Sequence, residues 1–265
     1  MSIVKLKKSL GQHFLSDSNI IAKIIRFSDI KETDEVVEIG PGGGALSVFL
    51  ARRAKRLVCV ELDSRMCVAL KEKFKDLNNV EIINEDILKF DFSPFNNLKI
   101  VGSLPYYITT PIINYLIKNR KHILEINLII QKEVGQRLLA KPHTKDYGSF
   151  CCFVNYFTRP EILFFIKNTC FHPAPKVDSV FVKLEVLSTP SVEVGKEDVF
   201  LKIIRTAFSQ RRKTLVNNLK DLASKEKLQY FIAQKGFKEG VRSQELSLKD
   251  FADLSLYVQD LPCGF

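Results

Sequence analysis

Glu35-Val36-Val37-Glu38-Ile39-Gly40-Pro41-Gly42-Gly43-Gly44-Ala45 is the stretch that decides the fold. A short apolar strand runs into a glycine-dense loop, and helical spacing of apolar residues resumes over 45–54. At the end of a parallel strand, glycines let the backbone turn tightly and approach a ligand with no Cβ in the way. Residues 40–45 satisfy Gly-x-Gly-x-x-Ala. That match is weak alone and gains weight from its strand–loop–helix setting.

Outward from this loop the two periodicities alternate. Upstream, 20–27 has helical spacing; downstream come a strand over 56–63, a helix over 64–74 and strands over 80–83 and 98–102. A helix over 111–119 and a strand over 125–130 come next. Alternation with buried strands predicts an α/β, Rossmann-like parallel sheet with helices on both faces. After Gln131 the rhythm changes. Residues 150–157 suit either a helix or a buried strand, while 161–166 and 179–186 predict an antiparallel pair closing the sheet. Ser188-Thr189-Pro190-Ser191 reads as a linker, and the remainder is helical, with Ser224 and Ser247-x-x-Asp250 as helix starts. The expected domains are 1–187 and a small all-helical 188–265.

Three successive strand ends offer groups suited to an adenosine. Gly40 opens the loop; Glu61 closes the next strand about twenty residues on, where a carboxylate can accept both ribose hydroxyls. Asp86, just past the third strand, is placed either to meet an adenine amine or to act as an N-cap for the adjoining turn. Glu38 favours a cofactor with a cationic end over an anionic pyrophosphate. Beyond the fourth strand stands Ser103-Leu104-Pro105-Tyr106-Tyr107. Proline removes a donor, so neighbouring carbonyls can face outward as acceptors. The Ser103 hydroxyl and the Leu104 carbonyl can then accept both hydrogens of an aryl amine while Tyr106 stacks on its ring.

The chain has 265 residues, a net charge of +10 and an apolar fraction of 46%. No apolar run reaches the roughly 18 residues of a membrane span, and the N-terminus lacks a signal-peptide core. The six cysteines show no Cys-x-x-Cys pair and several sit in apolar runs, so they are expected to be reduced and structural, in a cytoplasmic protein that needs no metal. The charge is concentrated: Lys202, Arg205, Arg211, Arg212 and Lys213 have no acid among them, and Lys220, Lys225 and Lys227 lie just beyond. Such a face can neutralise phosphates.

Leu10-Gly11-Gln12-His13-Phe14-Leu15, Val37–Gly42, Ser103–Tyr106, the segment Phe171-His172-Pro173-Ala174-Pro175-Lys176-Val177-Asp178-Ser179 and Gln210–Leu215 together resemble the bacterial small-subunit rRNA adenine dimethyltransferases. The likeness spans nearly the whole chain, with the motifs in the same order. It implies a class I S-adenosylmethionine-dependent methyltransferase sheet. It also implies dimethylation of the 6-amino groups of two adjacent adenosines in the 3′-terminal hairpin loop of small-subunit rRNA within an immature 30S particle. A monomer without membrane attachment is expected. By position, His13 and Leu15 would contact the cofactor, Gly40 its amino-acid part, Glu61 the ribose and Asp86 the adenine. Ser103 would sit between cofactor and target amine, and Phe171 would cover the target base opposite Tyr106. The family usually carries Asn where this chain has Ser103, and a hydroxyl is shorter than a carboxamide.

Other readings use the same residues. Resistance methyltransferases of large-subunit rRNA share several motifs, but 211–214, Glu245-Leu246-Ser247 and the helical tail argue against them. A non-catalytic ribosome-assembly factor would keep the fold and the basic helices. A nicotinamide oxidoreductase rests on the glycine pattern alone and lacks a proton donor.

Overall fold

Period-2 and period-3.6 apolar patterns, together with side-chain caps, set the order of elements in the computed structural model, which describes residues 12–259. Leu10, Gly11 and Cys263 lie outside the described residues. A two-residue strand β1 (Phe14–Leu15) leads into α1 (Ser18–Phe27), whose first turn is capped by the Asp17 carboxylate accepting from the N–H groups of Asn19 and Ile20. Next come β2 (Glu35–Ile39), α2 (Ser47–Ala51), β3 (Arg56–Glu61), α3 (Ser64–Lys73), β4 (Val80–Asn84) and β5 (Leu98–Ser103). A 3-10 turn over Tyr106–Ile108 precedes α4 (Thr109–Lys118), β6 (Ile123–Gln131), α5 (Lys132–Leu138) and α6 (Ser149–Phe157). The chain continues through β7 (Thr158–Ile166), β8 (Phe171–His172), β9 (Ser179–Val186), α7 (Glu197–Ala207), α8 (Leu215–Leu219), α9 (Lys225–Gln234) and α10 (Leu248–Gln259).

The main sheet runs in the order β4-β3-β2-β5-β6-β9-β7, and β1 pairs with β8 in a separate two-stranded ladder. β4, β3, β2, β5 and β6 are parallel and β9 is antiparallel to β6. From β2 the chain builds outward through β3 and β4, then crosses back to lay β5 on the other side of β2. The order therefore reverses between β2 and β5, and their carboxyl ends, Ile39 and Gly102, are register partners. Side chains from both faces of these strands, such as Val36, Leu57, Ile100, Ile126 and Phe181, are fully buried.

The chain divides into two compact units, Met1–Gly135 with Arg159–Val186, and Gln136–Thr158 with Leu187–Phe265. The division expected from sequence placed 136–158 with the sheet; the contacts place it with the helices. Tyr156 of α6 lies 4.7 Å, ring to ring, from Phe200 of α7, and the N–H groups of Leu187 and Ser191 bond the carbonyls of Phe157 and Tyr156. The linker motif at 188–191 is thus fastened to α6. Residues 150–157 resolve to a helix, with Cys151, Val154 and Phe157 buried. The helical unit also keeps its sequence-legible caps: Ser224 accepts from Lys227 N–H, and Ser247 and Asp250 exchange a reciprocal capping box.

The described cysteines are unpaired, four of them buried. Among the described residues no helix is long and apolar enough to cross a membrane, and no cluster of His, Cys, Asp or Glu could hold a metal ion.

One polar contact under the sheet carries a measurable share of stability. Lys99 on β5 is almost fully buried; its ammonium donates to the Asp29 carbonyl and pairs with Asp34, both at 2.8 Å. Removing one partner of a buried pair strands the other charge. Lys99→Ala should lower the unfolding free energy in urea by about 3 kcal/mol, the lower end of that range because Asp34 keeps some solvent. A loss below about 1 kcal/mol would mean that water already compensates Asp34.

Candidate active site

The carboxyl ends of β2, β3, β4 and β5 open into a cavity of about 510 Å³ lined by residues of the sheet unit alone. It gathers every site residue expected from sequence: His13, Leu15, Gly40, Glu61, Asp86, Ser103, Leu104, Tyr106 and Phe171. Its position matches the rule that open parallel sheets bind ligands where the strand order reverses.

The glycine loop forms one wall. Gly40 sits at φ +65°, its N–H continuing the β2–β3 ladder to the Val60 carbonyl at 3.0 Å. Gly42, at φ +54°, lies under the ring of Phe14; a Cβ there would come within 2.6 Å of that ring. Both positions need glycine, the first for its conformation and the second also for space. Lys73 reaches back from α3 to hold the Gly43 and Gly44 carbonyls at 2.9 and 3.2 Å.

The acidic wall is built from strand ends. Glu61 closes β3, and its two oxygens accept from Gly42 N–H at 3.0 Å and Asp63 N–H at 2.9 Å. Burial raises its pKa, and the backbone donors of Asp63 and Gly42 oppose that. The carboxylate is therefore oriented by the loop it faces, with further lone pairs on each oxygen for ligand hydroxyls. Glu38, on β2, is buried beside the Cys59 thiol, which donates to it at 3.7 Å. Burial pushes its carboxyl up to about 7, with Ser47 and Cys59 pulling the other way. Asp86 accepts from Leu88 N–H at 3.0 Å, which is a capping contact in the turn it opens, and it also lines the cavity.

The opposite wall is the proline corner. Leu104 N–H bonds the Ile129 carbonyl on β6 at 3.0 Å, and the Pro105 carbonyl accepts from Ile108 N–H and the Thr109 hydroxyl. These bonds stiffen the corner. Among the described residues no hydrogen bond reaches the Ser103 hydroxyl or the Leu104 carbonyl, which leaves both as acceptors. The Tyr106 hydroxyl meets Ser179 Oγ at 2.8 Å, and burial raises its pKa. His13 stacks near Tyr106 with ring centroids 6.3 Å apart and planes 23° from parallel, while its Nδ1 contacts the Pro173 carbonyl at 2.6 Å. Phe171 is only 5% exposed: it lines the cavity and also belongs to the core cluster with Leu15, Val101 and Phe181.

Several lining residues were not singled out from sequence. Phe14 covers the glycine loop because β1 pairs with β8, an association across the chain that no local pattern reveals. Ser179 closed a quoted motif but gave no sign of its bond to Tyr106. Gln12 reaches Asp63 at 3.3 Å. Asp63 caps α3 and is held to about 2 chiefly by its hydrogen bonds with the Arg65 side chain.

The cavity fits S-adenosylmethionine on its own chemistry. A carboxylate faces the loop where a ribose would lie, a second is buried with no ion pair among the described residues, and a third stands at the next strand end.

A family model described as ribosomal RNA adenine dimethylase matches residues 3–260. The ribosomal RNA small subunit methyltransferase A of Clostridium botulinum is 40% identical over 262 residues, covering 97% of this chain and 95% of that protein. Its counterpart in Caldanaerobacter subterraneus is 43% identical over 260 residues, covering 95% and 97%. Among solved structures, a dimethyladenosine transferase from Plasmodium falciparum is similar with TM-score 0.76 at 29% identity, over 92% of this chain and 96% of its own. The 23S rRNA methyltransferase ErmE shares the fold, with TM-score 0.73 at 24% identity over 92% and 98%. The near-full-length match to the family model, with relatives 40% and 43% identical over almost the whole chain, places this chain in the ribosomal RNA adenine dimethylase family.

Proposed function

We propose that this chain transfers methyl groups from S-adenosylmethionine to the 6-amino groups of two adjacent adenosines in the 3′-terminal hairpin loop of 16S rRNA. It acts as a cytoplasmic monomer on an immature 30S particle. The observation that carries this is the sharing of one cavity by Glu61, Asp86 and the Ser103–Tyr106 corner.

When bound, S-adenosylmethionine supplies an electrophilic methyl group on a sulfonium. The protein's own contribution is positioning. An adenine amine is a poor nucleophile because its lone pair is delocalised into the ring. The Ser103 hydroxyl and Leu104 carbonyl accept its two hydrogens and favour a tetrahedral nitrogen whose lone pair points at the methyl. Tyr106, its hydroxyl tied to Ser179, presents a fixed ring for stacking. Phe171 and Leu15 exclude water from the reacting atoms. The amine proton departs after transfer, so no strong base is required.

The base must leave its stack to reach this corner, at a cost of a few kcal/mol that is smallest in a loop. In the helical unit Lys202, Arg205, Arg212 and Lys213 are exposed with no carboxylate in ion-pair range among the described residues, and Arg211 bonds the Lys145 carbonyl. They form a surface suited to rRNA phosphates.

Labelled methyl transfer to small subunits lacking these modifications tests the reading. Two methyl groups on each of two adenosines are expected. Cofactor binding without any transfer would instead support an assembly factor that keeps the fold.

Ser103→Ala should lower kcat/KM roughly tenfold, the equivalent of about 1.4 kcal/mol in transition-state binding. Ser103→Asn should retain activity and raise the share of doubly methylated over singly methylated adenosine, read by mass spectrometry. If Ser103→Ala is as fast as the parent, the hydroxyl has no part in holding the amine.

Glu38 gives a pH prediction. Its folded pKa, about 7, exceeds the ordinary value of 4.5. Folding therefore favours the protonated form, and that stability is present at low pH and lost as pH rises through about 7. A bound cation favours the ionised form, so S-adenosylmethionine binding should release a proton and tighten as pH rises towards about 7, levelling off above it. Glu38→Gln should flatten this dependence in calorimetry. A profile that stays equally steep in the variant assigns the proton elsewhere.

A further inference from the structure

The cavity does not end the row of groups along this edge of the sheet. Past β5 the strand order continues through β6, β9 and β7, on the side away from Glu61 and Asp86. β6 ends at Gln131, whose register partner is Ser179, the residue bonded to Tyr106. The next residue, Lys132, donates its N–H to the Asp178 carbonyl at 3.0 Å. Its ammonium lies 5.6 Å from the ring centroid of Phe165, which is 56% exposed on the edge strand β7. Lys167 stands just after β7 with its side chain 80% exposed, 3.7 Å from Asp178. Asn168 fastens this corner, donating its N–H to Asp178 at 3.0 Å and its amide to the Pro175 carbonyl at 3.1 Å, and the exposed Lys176 comes next. The end of β7 and the start of β9 therefore share the edge that carries Tyr106.

We propose that Lys132, Phe165, Lys167 and Lys176 form a rim that grips the single-stranded rRNA beside the extruded adenosine. Phe165 stacks on a neighbouring base and the lysines meet its phosphates. This rests on the reading of the chain as an rRNA adenosine methyltransferase. An extruded base leaves its neighbours without a stacking partner, and an exposed aromatic among cations is what unpaired nucleotides bind without sequence readout. The nearby acids are Asp178 and Glu133. Asp178 is engaged by Asn168 and Lys167, so three ammonium groups outnumber two carboxylates. All four rim residues belong to the sheet unit, and none of them lines the cavity.

The test measures small-subunit binding against salt, and methylation kinetics, for the parent, Phe165→Ala and the double variant Lys132→Ala/Lys167→Ala. Removing two lysines from single-strand contacts should reduce the slope of log K against log salt by about 1.4. Phe165→Ala should raise KM for subunits on the order of tenfold, leaving that slope, the S-adenosylmethionine Kd and the Tm unchanged. Parent-like slope and KM in both variants would overturn the rim, including the case where this face serves a protein partner instead. A parent that binds subunits yet transfers no methyl would sink the reaction, while the salt slopes would still decide the rim.

Discussion

The reversal of strand order between β2 and β5 is the constraint on which the site depends. It lays two carboxyl ends side by side with no helix between them, Ile39 against Gly102. The glycine loop and the proline corner both start from that junction. Gly40 turns away from β2 so closely that a Cβ would lie 3.6 Å from the Ser103 carbonyl. The two walls of the cavity are thus not brought together by a flexible loop. They are neighbouring strand ends in one hydrogen-bonded ladder, and their spacing is fixed by the sheet itself. For a reaction that relies on placement more than on acid–base chemistry, this rigidity is the main catalytic resource.

The second closure comes from the far ends of the sheet unit's sequence. β1 and β8 are only two residues each, too short to be stable alone. They persist because Leu15 and Phe171 are register partners within the core cluster. The pairing lays Phe14 on Gly42 and brings His13 beside Tyr106. A single short ladder therefore covers both the glycine loop and the proline corner, which couples the order of one cavity wall to that of the other.

Much of this was legible in the sequence, and the limits are physical. The bounds of β2 match expectation because five residues of strand character stop abruptly at glycine. The helix expected over 45–54 shortened to Ser47–Ala51, since Gly44 N–H bonds the Pro41 carbonyl and the loop uses the first turn. The strand expected to reach Asp63 ended at Glu61, because Asp63 serves as the cap of α3. α5 was missed: it contains Gly135, which reads as a helix breaker but is needed where a Cβ would stand 2.4 Å from Val180. The short β1–β8 ladder carries no periodicity at all. The assignment of 136–158 to the helical unit depends on ring contacts such as Tyr156 with Phe200, which local spacing cannot show. Site residues at strand ends were found because chemistry and position coincide there; Ser179 was not, because its role lies in a bond to a residue far along the chain.

Charge differs along the edge of the sheet, although Lys73 stands among the acids and Asp178 and Glu133 among the lysines. Over β2, β3 and β4 stand Glu38, Glu61 and Asp86; over β5 the Ser103 hydroxyl and Leu104 carbonyl are neutral; past β6 come Lys132, Lys167 and Lys176. On the proposed reading, a cation-bearing donor meets the first group and a polyanion the last, and acids spread evenly would repel the phosphates flanking a target base. Burial adds to the arrangement, since desolvation raises the Glu38 carboxyl to about 7, where a nearby cation would favour its ionised form. On the proposed reading, the sheet would hold its two substrates at separate groups and join them at the uncharged corner between.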